Sequence, residues 1–159
     1  MTREKPLIVV GNDGSAASEP ALRWALDQAR AVGGRVQVMR GWSMSTAPTP
    51  KTQTFGHIPP MEDFEAAVLE ELQADVASVV ADYALVEIEY AANHCPPANA
   101  LLIAAAHADL VVVGARGRGG FRGLTLGAVS DQLSRHSPCP VVIVRNNKSA
   151  ETERSAPKN

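Results

Sequence analysis

Cysteine is scarce in this 159-residue chain: Cys95 and Cys139 are the only two. That count excludes a disulfide-dense scaffold and a four-cysteine zinc site. Long apolar runs are missing as well, so no segment reaches the roughly 20 residues needed to span a bilayer as a helix. The opening Met1-Thr2-Arg3-Glu4-Lys5-Pro6 has no long apolar core and small-residue cleavage site behind it, so it does not read as a secretory leader. An excess of positive charge is absent too: the formal net charge is -2, which argues against a basic nucleic-acid-binding domain. These absences lead to the expectation of a cytoplasmic protein with neither a nucleic-acid nor a membrane partner. At this length one domain is expected, over residues 1–145. The tail 146–159 is polar and charged, with almost no large apolar residue, and is expected to be disordered.

What is present is a regular alternation of two patterns. Leu7-Ile8-Val9-Val10-Gly11 and Leu110-Val111-Val112-Val113-Gly114 are continuous β-branched runs, as expected of strands buried on both faces. Arg35 to Met39, Leu85 to Ala92 and Pro140 to Val144 supply three more strands, with Leu85–Ala92 alternating as a strand solvated on one side. Between them lie helical stripes. Leu22, Ala25, Leu26, Ala29 and Val32 form one, expected to start after Ser18 as N-cap, with Pro20 in the first turn. Phe64, Val68, Leu72, Val76, Val79 and Tyr83 form a second. Leu101, Leu102 and Ala105 follow Pro96-Pro97, and Leu126, Val129 and Leu133 mark the last. Trp42 to Pro60 is a long connection without a clear period. The order β-α-β-α-β-α-β-α-β implies an α/β fold, a parallel sheet with helices on both faces. Ligands of such sheets bind beyond the carboxyl ends of the strands, where strand order reverses.

Two loops at that edge carry chemistry. Residues 114–130 read Gly-Ala-Arg-Gly-Arg-Gly-Gly-Phe-Arg-Gly-Leu-Thr-Leu-Gly-Ala-Val-Ser. Dense glycine lets backbone N–H groups approach a ligand. The following helix start favours an anion through its unpaired N–H groups and dipole. Arg116, Arg118 and Arg122 add positive charge within a net-negative chain. A phosphate is the simplest ligand that uses all three, while a solvated glycine-rich loop is the bland alternative. The segment is neither a P-loop, since no Gly precedes a Lys, nor a GxGxxG turn, since Arg122 stands where the third Gly is required. Asp13, after the first strand, could accept from a ribose hydroxyl or an adenine amine, lie near a metal ion escorting phosphates, or simply close its own Asx-turn.

These stretches, together with Ser137-Pro138-Cys139-Pro140-Val141-Val142-Ile143-Val144, resemble the universal stress protein family over about residues 6–145. The resemblance implies an open five-stranded parallel sheet in order 3-2-1-4-5, adenine-nucleotide α-hydrolase-like, and a homodimer through the last strand, Val141 to Arg145. It implies a bound adenine nucleotide, ATP foremost, with Mg2+ or Mn2+. The nucleotide-binding residues it implies are Gly11, Asp13 and Gly41 around the nucleoside. For the phosphates they are Gly114, Ala115, Arg116, Gly117, Arg118, Gly119, Gly120, Gly127, Ala128, Val129 and Ser130. The family's pattern G-x2-G-x9-G-[ST] is met at Gly114, Gly117 and Gly127 but departs at Ala128, which has no hydroxyl for a phosphate oxygen. Ser130 stands two residues on as a partial substitute. Weaker binding, a cyclic AMP or AMP preference, or a nucleotide-free dimeric interaction module are the readings Ala128 opens. Asp13 is the only visible general base, so catalysis beyond a slow ATPase is not expected. No metal-ligand spacing joins His57, His94, His107 and His136.

Overall fold

The computed structural model describes residues 4–116 and 126–146. Five strands form one parallel sheet: β1 Leu7–Gly11, β2 Arg35–Gly41, β3 Glu87–Asn93, β4 Leu110–Gly114 and β5 Val141–Val144. Their order is β3-β2-β1-β4-β5, as the resemblance implies. β1 therefore pairs with β2 on one side (Val10↔Val38) and with β4 on the other (Val10↔Val112). Connections run outward in opposite directions from β1 and β4, so the crevice between their carboxyl ends is the switch point of the sheet.

The period-2 alternation of strand side chains sends each strand into two cores. Ile8, Val10, Val36, Val38 and Val112 face α1 (Glu19–Val32) and α2 (Met61–Val80), where Leu22, Leu26 and Leu72 are fully buried. Val9, Met39, Val111 and Val113 face α3 (Pro97–Ala105) and α4 (Ala128–His136), against Leu101, Ala105 and Leu133. Because β1 and β4 feed both cores, they are apolar along their length, which is what the continuous runs required. A smaller cluster of Trp42, Phe64, Val68 and Ala92 closes the sheet beside the β2 end.

Several local expectations are corrected. Ser18 does occupy the N-cap position of α1, with Pro20 behind it, but its side chain accepts no helix N–H; its hydroxyl donates to Ser15 O at 2.6 Å. Val32 is 47% exposed rather than part of the inner stripe, because α1 has already met Gly33 in a left-handed conformation (φ 67) and is leaving the sheet. β3 begins at Glu87, two residues later than expected, after Tyr83 closes a short 3-10 turn, and Leu85 is left in solvent. Leu126 precedes α4 instead of belonging to it. The connection from Trp42 to Pro60 carries no helix or strand, only an isolated bridge between Thr54 and His57.

Tyr83 ties α1 to the end of α2: its hydroxyl donates to Asp27 Oδ1 at 2.8 Å and the Arg30 guanidinium sits 5.0 Å from its ring centre. Burial, assisted by the Asp27 carboxylate, holds this phenol above its ordinary pKa. Of the tail expected to be disordered, only Asn146 lies within the described residues.

Candidate functional site

A cavity of about 810 Å3 opens at the carboxyl ends of β1, β2 and β4. Its size falls within the roughly 300–1,000 Å3 typical of small-molecule sites. The β1 end contributes Gly11, Asn12 and Asp13; the β2 end contributes Arg40, Gly41 and Trp42. On the far side stand Gly114 and Arg116 after β4, then Leu126 and the start of α4 from Gly127 to Asp131.

Two glycines matter here through contact rather than conformation. A Cβ on Gly41 would lie 2.6 Å from Pro97 Cα and 2.8 Å from Cys95 O. Only glycine lets the β3–α3 loop cross so close to the β2 end. A Cβ on Gly114 would lie 3.1 Å from Ala17 O, a tight approach to backbone. Gly14 is different: its φ of 80 is the left-handed region that a side chain disfavours.

The turn after β1 is held by its own side chains. Asn12 Oδ1 accepts from Gly14 N at 3.0 Å, and Asp13 Oδ1 accepts from Ser15 N at 2.9 Å and Ser15 Oγ at 2.5 Å. Asp13 therefore makes the Asx-turn that the bland reading expected, and it lines the cavity at the same time.

At the other wall, some of the described amides already have protein partners. Ala115 N donates to Val144 O at 2.9 Å and Gly127 N to Ala115 O at 2.6 Å. The Ala128 and Val129 amides open α4, and a helix start leaves its first amides without a carbonyl in the helix. Both residues line the cavity. Ser130 is 2% exposed and its hydroxyl donates toward Ala115 O and Gly127 O, each at 3.1 Å. Its hydroxyl is thus engaged with protein carbonyls, and the residue also lines the cavity. Gly117, Arg118, Gly119 and Gly120, singled out in the sequence together with Arg122, lie outside the described residues.

Charge around the cavity is mixed. Asp13, Glu71 and Asp131 line it, against Arg40 and Arg116. Arg116 is exposed, while Arg40 is 8% exposed and paired with Glu71 (3.2 Å) and Asp75 (2.8 Å). Asn12, Arg40 and Glu71 were not singled out by sequence reasoning. The signal available was a basic residue on the same strand face as Val36 and Val38, with two acids four residues apart on the following helix. Trp42 is 3% exposed and packs with Phe64 and Val68, and its ring centre lies 4.5 Å from that of His94. Among the described residues no three His, Cys, Asp or Glu side chains group closely enough to hold a metal ion. No helix among them is long and apolar enough to cross a membrane.

Comparison with known proteins agrees with this architecture. The family model described as the universal stress protein family matches residues 7–145. The chain belongs to that family. A universal stress protein of Mycolicibacterium smegmatis is 34% identical over 142 residues, covering 87% of this chain and 45% of the relative. The chain thus spans about half the length of the curated relatives it matches. Among solved structures, a universal stress protein in complex with cAMP superposes with a TM-score of 0.60 at 25% identity, over 90% of this chain and 98% of the other. A universal stress protein from Archaeoglobus fulgidus in complex with dAMP gives a TM-score of 0.57 at 21% identity, over 87% and 96%. At that identity the second likeness speaks for the fold.

Proposed function

We propose that this universal stress protein binds an adenine nucleotide in the switch-point cavity, with ATP among its ligands, and acts as a stress-response sensor or switch. The observation that carries this reading is the pairing of two walls across one cavity. Asp13 stands on one side; the Ala128 and Val129 amides at the start of α4, with Arg116, stand on the other. A nucleoside hydroxyl donates to a carboxylate, and a phosphate accepts from helix-start amides and a guanidinium. The cAMP and dAMP complexes of the two structural neighbours support an adenine ligand in this fold.

Phosphate count is where this chain's own residues speak. Three carboxylates line the cavity, and Arg40 is already answered by Glu71 and Asp75. A triphosphate therefore meets little uncompensated positive charge from the described residues. A Mg2+ or Mn2+ ion travelling with the phosphates would offset this, with Asp13 and Asp131 among the carboxylates that line the cavity. Without it, the site favours AMP or cyclic AMP, which is the reading Ala128 also favours. A homodimer through the last strand, Val141 to Arg145, belongs to the same proposal: among the described residues Val141 to Val144 pair with β4 alone, and all four are half-buried. So does residence in the cytoplasm.

Titration calorimetry with ATP, AMP and cyclic AMP, with and without Mg2+, tests the reading. Saturable heat with at least one of them is expected, reduced in Asp13→Ala. No heat at millimolar ligand would end it and leave the nucleotide-free interaction module, which pull-down from nucleotide-stripped protein would then address.

A further inference from the structure

Arg40 is the one buried charged residue among the described ones. Strand alternation places it on the same face as Val36 and Val38, at the end of β2, where the sheet gives way to the cavity. Its guanidinium is shared between two elements. Nε donates to Asn12 O at 3.0 Å and Nη2 to Asn12 Oδ1 at 3.1 Å. Nη1 donates to Glu71 Oε2 at 3.2 Å and Nη2 to Asp75 Oδ2 at 2.8 Å, both on α2. Four of the five guanidinium N–H groups are therefore engaged.

Two consequences follow from this arithmetic. One positive charge faces two carboxylates, so Arg40 offers no surplus charge to an anion although it lines the cavity. Second, the atom it holds is the one that shapes the turn: Asn12 Oδ1 also accepts Gly14 N at 3.0 Å, and Asn12 N donates to Met39 O at 3.0 Å. Asp13 sits between Asn12 and the left-handed Gly14. We infer that Arg40 is a positioning residue: it braces the Asn12–Gly14 turn against helix α2 so that Asp13 is held toward the cavity, and it acts on ligand affinity through that turn without touching phosphate. The affinity part rests on the nucleotide reading above; the bracing does not.

A planar fork is what this role needs, because one group must reach a backbone carbonyl, an amide oxygen and two carboxylates at once. Lysine offers a single ammonium and cannot span them. Glu71 and Asp75 have side chains 48% and 36% exposed, so they remain hydrated when Arg40 is replaced.

The test uses the full chain with Arg40→Met, which keeps the apolar stem, and Arg40→Lys, which keeps the charge; thermal melts check that each folds. Hydrogen exchange at the Gly14 and Ser15 amides is measured first, without ligand. Faster exchange in Arg40→Met, and a smaller increase in Arg40→Lys, is expected; wild-type exchange in both variants overturns the bracing role. Adenosine, AMP and ATP are then titrated. Affinity is expected to fall about tenfold in Arg40→Met by the same factor for all three, since the nucleoside side is what the turn serves. A loss that grows with phosphate number would make Arg40 a direct phosphate contact and overturn the inference. If wild type binds none of the three, the nucleotide reading fails, and the exchange measurement still decides whether Arg40 braces the turn. Should Arg40→Met not fold, Arg40→Lys decides both measurements by the same criteria.

Discussion

Replacing Gly41 by alanine probes a close crossing of two backbone segments. The backbone at Gly41 is in register with Asn93 in β3 and has no left-handed φ, so an alanine there carries no conformational strain of its own. The cost comes from contact. The new Cβ would sit 2.6 Å from Pro97 Cα and 2.8 Å from both Cys95 O and Pro97 N, against roughly 3.5–4.0 Å for comfortable carbon contacts. All three neighbours are backbone, so no side chain can rotate away; the β2 end and the loop before α3 must separate by about an ångström. Overpacking of this kind costs about 1–3 kcal/mol. In a domain of this size each kcal/mol moves Tm by roughly 2–4 °C, so a fall of about 4–8 °C is expected for a mid-range penalty. Gly11→Ala is the matched control. Its Cβ would meet Leu101 Cδ1 at 2.9 Å, the far end of a side chain that can turn, and a loss of less than about 1 kcal/mol is expected. Circular dichroism melts of wild type and both variants measure the difference. If Gly41→Ala melts with wild type, or no lower than Gly11→Ala, the backbone crossing does not constrain this position.

Ala128→Ser restores the hydroxyl that the family pattern expects, at an exposed cavity-lining position that opens α4. A hydrogen bond to a charged acceptor is worth about 1.5–3 kcal/mol, so calorimetry should show ATP binding at least tenfold tighter, with adenosine unchanged. An equal gain for adenosine would contradict the phosphate assignment. Leu72→Ala, at a fully buried position between α2 and the sheet, should cost ~2–5 kcal/mol in urea unfolding; a loss under ~1 kcal/mol would mean that core is not packed as described. Tyr83 gives a pH test. Its phenol keeps its proton to higher pH when folded than when unfolded. The stability tied to that proton is thus complete below about pH 10 and lost as pH rises toward the folded value. Tyr83→Phe should flatten the alkaline fall in Tm above pH 10, and an unchanged alkaline slope would refute the link.

The sheet was readable because its strands announce themselves by composition: Leu7–Gly11 and Leu110–Gly114 are apolar on both faces, and burial on both faces is what the structure gives them. Strand order came from the resemblance, since alternation alone leaves it open. Gly11, Asp13, Gly41, Gly114, Arg116 and the start of α4 were named from sequence and do line one cavity. Arg40 was not, because its partners are 28, 31 and 35 residues away. A basic residue at a strand end reads as solvated until the fold brings an amide and two carboxylates to it. Ser130 was legible only in part for a related reason: spacing shows a hydroxyl near the helix start but not the two carbonyls it meets. Val32 lies at the point where α1 leaves the sheet, and Leu85 lies two residues before β3 begins.

The pairing of β1 with β4 has a kinetic side. Leu7 N donates to Asp109 Oδ2 at 2.8 Å across 102 residues of sequence, and closing so wide a loop must precede any reward from the contact. Everything Asp13 faces across the crevice arrives with that late partner. On the nucleotide reading, a chain still emerging from the ribosome with α3 formed would own only the β1–β2 wall of the site. A ligand that needs both walls would then favour copies in which the final third of the polypeptide has docked, drawing them toward the native side of the equilibrium.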